Sequence, residues 1–393
     1  MMLTLARVAV ALVAAAMVVG AVRSALRTIV VPRGIPDRLT RVVFRVLDAP
    51  TAWRAGRASS SAQLDRRTAS LAIRFLLALL VTWLAGIWLA GAGMQWALAG
   101  GSAGRAFAAS ASALTTLGVA SSAGGASAAA YIEAVLGLGL LALVIGYLPS
   151  LYAAFSRREA LVSKLAMRTG LPPAGPVILS RLWRPAGPQT VLRETWQAWE
   201  DWFVDLSESH TSIPSLAFFR SPQTAKSWIT AAGAILDAAA LALTAVDGDA
   251  GPEAGMCLHA GIVALRHVAD FHGISYQPDA ALARIAVEKS EVLAACQQMA
   301  AADVPLVSDL DAAYDRFRAH RGAYDQLLLA LCAYVYAPPA PWSSDKVVAA
   351  RCRPPIIHVG PGSLGSVYPP LASPAGGNPP ADAAPPLGPA APS

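Results

Sequence analysis

Three stretches of this chain are apolar without a break, and all lie within its first 156 residues. Residues 8–22, 75–104 and 134–156 contain no Asp, Glu, Lys or Arg. A helix needs about 20 apolar residues to cross a hydrocarbon layer of about 30 Å. The second and third stretches therefore predict spans over about 71–96 and 129–155. The first span is placed at residues 1–22, although its uncharged part is only 15 residues long. A signal peptide competes for that stretch, but it has no clean A-x-A cleavage site before Arg23.

Between the two longer spans lies a segment too short to cross. Residues 105–114 are Ala, Ser and Phe with one Arg and one Leu. They predict a helix of two to three turns, about 15 Å at 1.5 Å per residue. Thr115, Thr116, Leu117, Gly118, Val119 and Ala120 follow, and then a loop of Ser, Ala and Gly to residue 125.

After the third span the pattern changes to that of packed helices. Residues 156–187 read as a helical extension stopped by Gly170, Pro172 and Pro173, then a Pro/Gly linker. Residues 188–336 read as an all-helical domain. In it Trp196, Trp199 and Trp202 recur at three-residue spacing, with Phe203 beside them, which marks one helical face. Residues 228–246 are apolar enough to suggest a fourth span, but Asp237 stands at their centre. A central Asp costs about 2.5–3.5 kcal/mol on insertion scales, so a buried bundle helix is preferred. Further helices are expected at 254–271, 279–302 and 310–336. The Pro/Ala-rich residues 337–393 are expected to be disordered or extended. In the loop 23–70, Leu39, Val42, Val43, Val46 and Leu47 recur at helical spacing beside Arg38, Arg41 and Arg45. This basic amphipathic helix suits either an anionic membrane surface or the face of the helical domain.

Charge sets the direction of the spans. Of 393 residues only 14% are charged and 55% are hydrophobic, against about 25% charged in a soluble domain. Residues 1–105 hold 13 Lys/Arg and three acids, Asp37, Asp48 and Asp65, while residues 152–335 hold 15 Lys/Arg and 19 acids. Ten of the arginines lie between Arg23 and Arg67. Loops rich in Lys/Arg stay in the cytoplasm. The first segment is therefore read as a retained span with its N-terminus outside. Arg157, Arg158, Lys164 and Arg168 put the exit of the third span inside as well. The 105–125 connection is left outside. The net charge of +6 is concentrated beside the spans, with no basic patch interleaved with aromatics, so no nucleic-acid partner is expected.

A helix entering from outside would stop halfway through the layer. Irregular backbone at that depth is tolerated only where it is buried in protein or lines a watery cavity. The negative end of the helix dipole would point inward and favour a cation, and the carbonyls of 115–120 could act as its ligands. Over residues 71–155, less than a quarter of the chain, this plan resembles the bacterial two-transmembrane, pore-loop potassium-channel family. In that family a pore helix leads to T-T-x-G-Y-G and then to an inner helix. Thr115, Thr116, Leu117 and Gly118 match the first four positions; Val119 and Ala120 depart from the aromatic and the second glycine, and Ser121 replaces the usual Asp. An Ala forced to positive φ costs about 1–2 kcal/mol, which predicts strain at Ala120. The resemblance implies an ion filter at 115–120, an inner-helix hinge at Gly137, Gly139 or Gly146, a homotetramer, and a monovalent cation, K⁺, as the conducted partner. Glu133, the acid nearest the outer end of the third span, is either a vestibule group or a solvated helix end.

Enzymatic signals are missing. Asp205, Glu208 and His210 form one acidic-His group, and His267, Asp270 and His272 another, but neither has a zinc spacing. No nucleophile elbow or phosphate-binding glycine loop occurs. Cys257, Cys296, Cys332 and Cys352 are far apart and read as buried reduced thiols. The expectation is a mainly α integral membrane protein of the plasma membrane. It has three transmembrane helices, one re-entrant pore helix and loop, and an all-helical cytosolic domain. No catalytic residue, metal or cofactor is expected. The competing expectation is a membrane-anchored scaffold or sensor with a non-conducting loop.

Overall fold

Helices account for nearly all the regular structure of the chain. The structure, a computed structural model, describes residues 1–31, 37–55, 57, 60–120, 125–184, 189–248, 251–274 and 285–347. Among them there are helices and one isolated bridge between Val246 and Leu306, but no strand. The helices are α1 (Met2–Ile29), α2 (Arg38–Ala55), α3 (Ser61–Thr68), α4 (Leu71–Ala99), α5 (Ala103–Leu114), α6 (Gly125–Thr169), α7 (Gly175–Leu182), α8 (Thr190–Ser212), α9 (Trp228–Thr244), α10 (Gly251–His272), α11 (Lys289–Ala300), α12 (Leu310–Gly322) and α13 (Asp325–Tyr334). Three helical stretches, ending in α1, α4 and α6, are long and apolar enough to cross a membrane.

α1 is longer than the 22 residues expected, and Arg7 does not interrupt it. At 28 residues it packs along α4 through small side chains: Ala14, Ala21, Ser24 and Ala25 are buried. A Cβ on Gly93 of α4 would touch Val10 and Ala14, and one on Gly86 would touch Ala21. Small residues at such a contact let two backbones approach closely, which is how apolar helices gain packing energy without a hydrophobic drive between them. The Trp83 indole donates to Ser24 Oγ at 3.1 Å, and the Arg7 guanidinium lies 6.0 Å from the Trp96 ring.

α2 takes the packed alternative for its apolar side. Its Phe44 ring meets Phe75 of α4 at 5.5 Å, and Phe218 and Tyr334 of the bundle at 4.8 and 6.2 Å. Tyr336 donates to Asp48 at 2.7 Å. Leu39, Val43 and Leu47 pack inward, while Val42 and Val46 stay exposed.

The bundle is built around α9, in which every residue but Leu243 is buried. Trp196, Trp199, Trp202 and Phe203 form the apolar face of α8, with Trp199 edge-on to Trp202 at 4.6 Å. Asp237, the reason for reading α9 as a bundle helix, is paired with Arg321 of α12 and accepts from Tyr324 at 2.7 Å. Arg321 also donates to Asp325 at 2.8 Å and to the Trp342 carbonyl. Burial opposes its charge, but Asp237 holds Arg321 above its ordinary value. A buried pair completed this way leaves no bare charge in the core.

Several expected boundaries move. The 170–187 linker contains α7, whose Ile178 and Leu179 are fully buried. Pro176 sits in the first turn of α7, where its missing N–H costs nothing. The helix expected at 279–302 begins only at Lys289, capped reciprocally by Glu288 and Glu291; residues 279–284 lie outside the described residues. The helix expected at 310–336 divides into α12 and α13 at Ala323 and Tyr324. Residues 337–347, expected to belong to the extended tail, pack on the bundle through Ala337, Ala340 and Trp342. The tail beyond 347 lies outside the described residues.

α6 joins the two regions. It runs unbroken for 45 residues, about 68 Å. Its Val162 and Leu165 are part of the bundle core. Where it leaves the apolar region, Arg158 is buried and donates to the carbonyls of Leu216 and Phe219 at 2.9 and 2.7 Å. Arg158 also pairs with Glu159 at 2.8 Å, and the other carboxylate oxygen of Glu159 accepts from Ser221 at 2.5 Å.

Candidate functional site

α5 begins where the chain turns back on α4. Gly100 and Gly101 both take positive φ, 71° and 83°, which suits residues without a Cβ. Ser102 then caps the helix, accepting from Arg105 N at 3.4 Å. From there α5 runs back alongside α4. Phe107 meets the Trp88 ring edge-to-face at 5.4 Å, and the Trp88 indole donates to the Phe107 carbonyl at 3.1 Å. Leu114, at the far end, joins the apolar cluster of Phe75, Leu79, Trp83, Ile87 and Leu140.

Gly137 on α6 admits that end of α5. A Cβ there would fall 2.5 Å from the Leu114 carbonyl oxygen. Gly137 is thus a packing glycine in this structure. Gly139 and Gly146 have nothing within 4 Å of their Cβ positions, and α6 passes through all three without a break.

The loop leaves α5 in a tight reversal. Thr115 N and Leu117 N donate to Ala111 O and Ser112 O, both at 3.1 Å. Thr116 takes φ 57° and Gly118 φ 68°. The strain expected at Ala120 is therefore absent there, and Thr116 carries a left-handed conformation instead. Ala120 is held by its N–H, which donates to Ser112 Oγ at 3.0 Å. Residues 115–119 are exposed, with Leu117 at 70% and Val119 at 84%. The threonine hydroxyls turn to the backbone: Thr115 donates to Ala111 O at 2.6 Å, and Thr116 to Thr115 O at 2.7 Å.

Behind this loop is a polar cluster that the sequence did not reveal. Glu133 is 4% exposed. It is therefore buried within the chain and not a solvated helix end. Ser110 of α5 donates to its carboxylate, and Gln95 of α4 donates to the other oxygen at 3.2 Å. Ser110 Oγ is also 2.8 Å from the Trp88 carbonyl. The cluster needs Gly91, because a Cβ there would lie 2.3 Å from the Glu133 carboxyl. The available signal was Gln95, a lone amide in a stretch with no charged residue.

The histidine groups do not converge. His210 is fully buried, with Nδ1 3.0 Å from Leu206 O and Nε2 3.4 Å from Arg158. Burial, and then the Arg158 charge, push its pKa well below the ordinary value. Asp205 instead pairs with Arg157 at 3.4 Å. His267 meets Ser207 at 3.0 Å, and His272 meets Tyr334 at 3.2 Å. Among the described residues no group of three or more His, Cys, Asp or Glu is placed to hold a metal. Cys257, Cys296 and Cys332 are free and buried; Cys352 lies outside the described residues. No protein-family model matches the chain, and neither a curated protein nor a solved structure matches it.

Proposed function

We propose that this chain is a subunit of a monovalent-cation channel of the two-span, pore-loop kind. Four copies would surround a path lined by Thr115, Thr116, Leu117, Gly118, Val119 and Ala120, with K⁺ as the ion. The observation that carries this reading is the return of α5 between α4 and α6. Its C-terminus ends in an exposed loop beside the middle of α4 rather than beyond its end. A dipole end and loop carbonyls at that depth suit a desolvated cation. The exposure of 115–119 suits a surface that other copies would complete.

In this reading α1 is a retained span, as its packing along α4 supports. The arginine-rich 23–70 segment and the helical bundle face the cytoplasm, and the protein resides in the plasma membrane. Gly139 and Gly146, whose Cβ positions meet nothing within 4 Å, are better hinge candidates than Gly137.

A second reading, a membrane-anchored scaffold or sensor with a non-conducting loop, is favoured by one observation. Both threonine hydroxyls at 115 and 116 are spent on the backbone, leaving only carbonyls to meet an ion. Flux of K⁺ and Na⁺ into proteoliposomes separates the two. Wild type should pass K⁺, and Gly118→Val should not, because a β-branched residue is an outlier at φ 68°. Absence of flux from monodisperse wild-type protein would sink the channel reading.

A further inference from the structure

We propose that Glu133 is the positioning residue of the 115–120 loop, its carboxylate fixing α5 against α4 and so setting the backbone shape that ion passage requires. This rests on the channel reading given above. Glu133 is the only acid between Asp65 and Glu159, yet it is buried among apolar helices rather than placed at an end. One oxygen is held from α5 by Ser110 and the other from α4 by Gln95. Glu133 itself belongs to α6. A single carboxylate thus ties all three helices together, at a position opened for it by Gly91.

The path from Glu133 to the loop is short. Ser110 stands two residues before Ser112, whose Oγ holds the Ala120 N–H, and the Ser112 carbonyl holds the Leu117 N–H. Rotation of α5 about its axis would carry both anchors with it. Loss of a buried hydrogen-bond partner is expensive, and Glu133→Ala removes the acceptor shared by Ser110 and Gln95, leaving Ser110 its contact with the Trp88 carbonyl. Glu133→Gln keeps the shape and an acceptor for Ser110, and Gln95 can reverse its amide to accept from the new one.

Two measurements on the full-length protein test the idea. In proteoliposomes, Glu133→Ala and Ser110→Ala should lower K⁺ flux about tenfold and lower the K⁺/Na⁺ ratio, while Glu133→Gln stays near wild type. In detergent, the same variants are made with Val119→Cys and Cys352→Ser, and the rate of maleimide modification reads the loop without any ion. Glu133→Ala should change that rate severalfold, and Glu133→Gln should not. Conducting wild type with unchanged flux and labelling in Glu133→Ala overturns the proposal. Silent wild type with altered labelling in Glu133→Ala refutes the channel but upholds the positioning. Should Glu133→Ala aggregate, Ser110→Ala, which removes a single hydroxyl, decides by the same labelling.

Discussion

Replacing Arg158 by Met would test whether the junction between α6 and the bundle is held by charge or by shape. The guanidinium is 2% exposed and reaches the carbonyls of Leu216 and Phe219, the Glu159 carboxylate and the ring of His210. Methionine fills much of the volume and satisfies none of these groups. Glu159, itself 7% exposed, would keep only its hydrogen bond from Ser221 among those described above. Breaking a buried ion pair from one side costs about 3–5 kcal/mol. For a domain of about 150–250 residues, that corresponds to a Tm lower by about 6–20 °C. Tryptophan fluorescence on heating, in mild detergent, is the assay, since Trp196, Trp199, Trp202 and Trp228 are all buried in the bundle. The double variant Arg158→Met/Glu159→Leu should recover much of the loss, because removing both charges leaves no bare ion. A single variant within about 2 °C of wild type would refute the reasoning, as would a double variant less stable than the single one.

Two further outcomes follow from the bundle. Gly261→Ala puts a Cβ 2.5 Å from Leu236 and 2.8 Å from Phe203, so it should destabilise by about 1–3 kcal/mol and lower the urea midpoint without changing the slope. Burial lowers the pKa of His272 from 6.5 to about 4. The fold therefore favours the neutral ring, and stability should be full above about pH 6.5 and fall as pH drops toward 4. The loss is at most about 3.5 kcal/mol, at 1.36 kcal/mol per pH unit between 6.5 and 4; His272→Phe should flatten this limb of a stability-versus-pH curve, and an unchanged limb would assign the acid sensitivity elsewhere.

The apolar helices were legible because their signal is local: a run without charge states its own length. α5 was legible for the same reason, being a short Ala/Ser run between glycines. In the bundle the structure departs from the sequence pattern where one residue type has two meanings. Pro176 falls in a Pro/Gly-rich stretch that suggests a linker, yet a proline in the first turn opens a helix as easily as it ends one. Trp342 stands among prolines, and nothing local shows that its carbonyl accepts from Arg321, 21 residues earlier. The apolar pattern over 310–336 runs on through Tyr324, whose hydroxyl is committed to Asp237 across 87 residues. Glu133 is the same case at the candidate site. Its neighbours in sequence suggested a helix end near water, and only the approach of Gly91, Gln95 and Ser110 from two other helices removes it from solvent.

α6 is also a beam. It enters the bundle already clamped at Arg158, and it touches α5 at Gly137, so both ends are loaded by different parts of the molecule. Between them stands Pro149, which cannot donate to the carbonyl four residues earlier and marks the softest point of the shaft. A tilt of about 5° there would displace Thr169, about 30 Å farther along, by about 2.6 Å. That displacement would be carried into the bundle, whose core includes Val162 and Leu165 of the same helix.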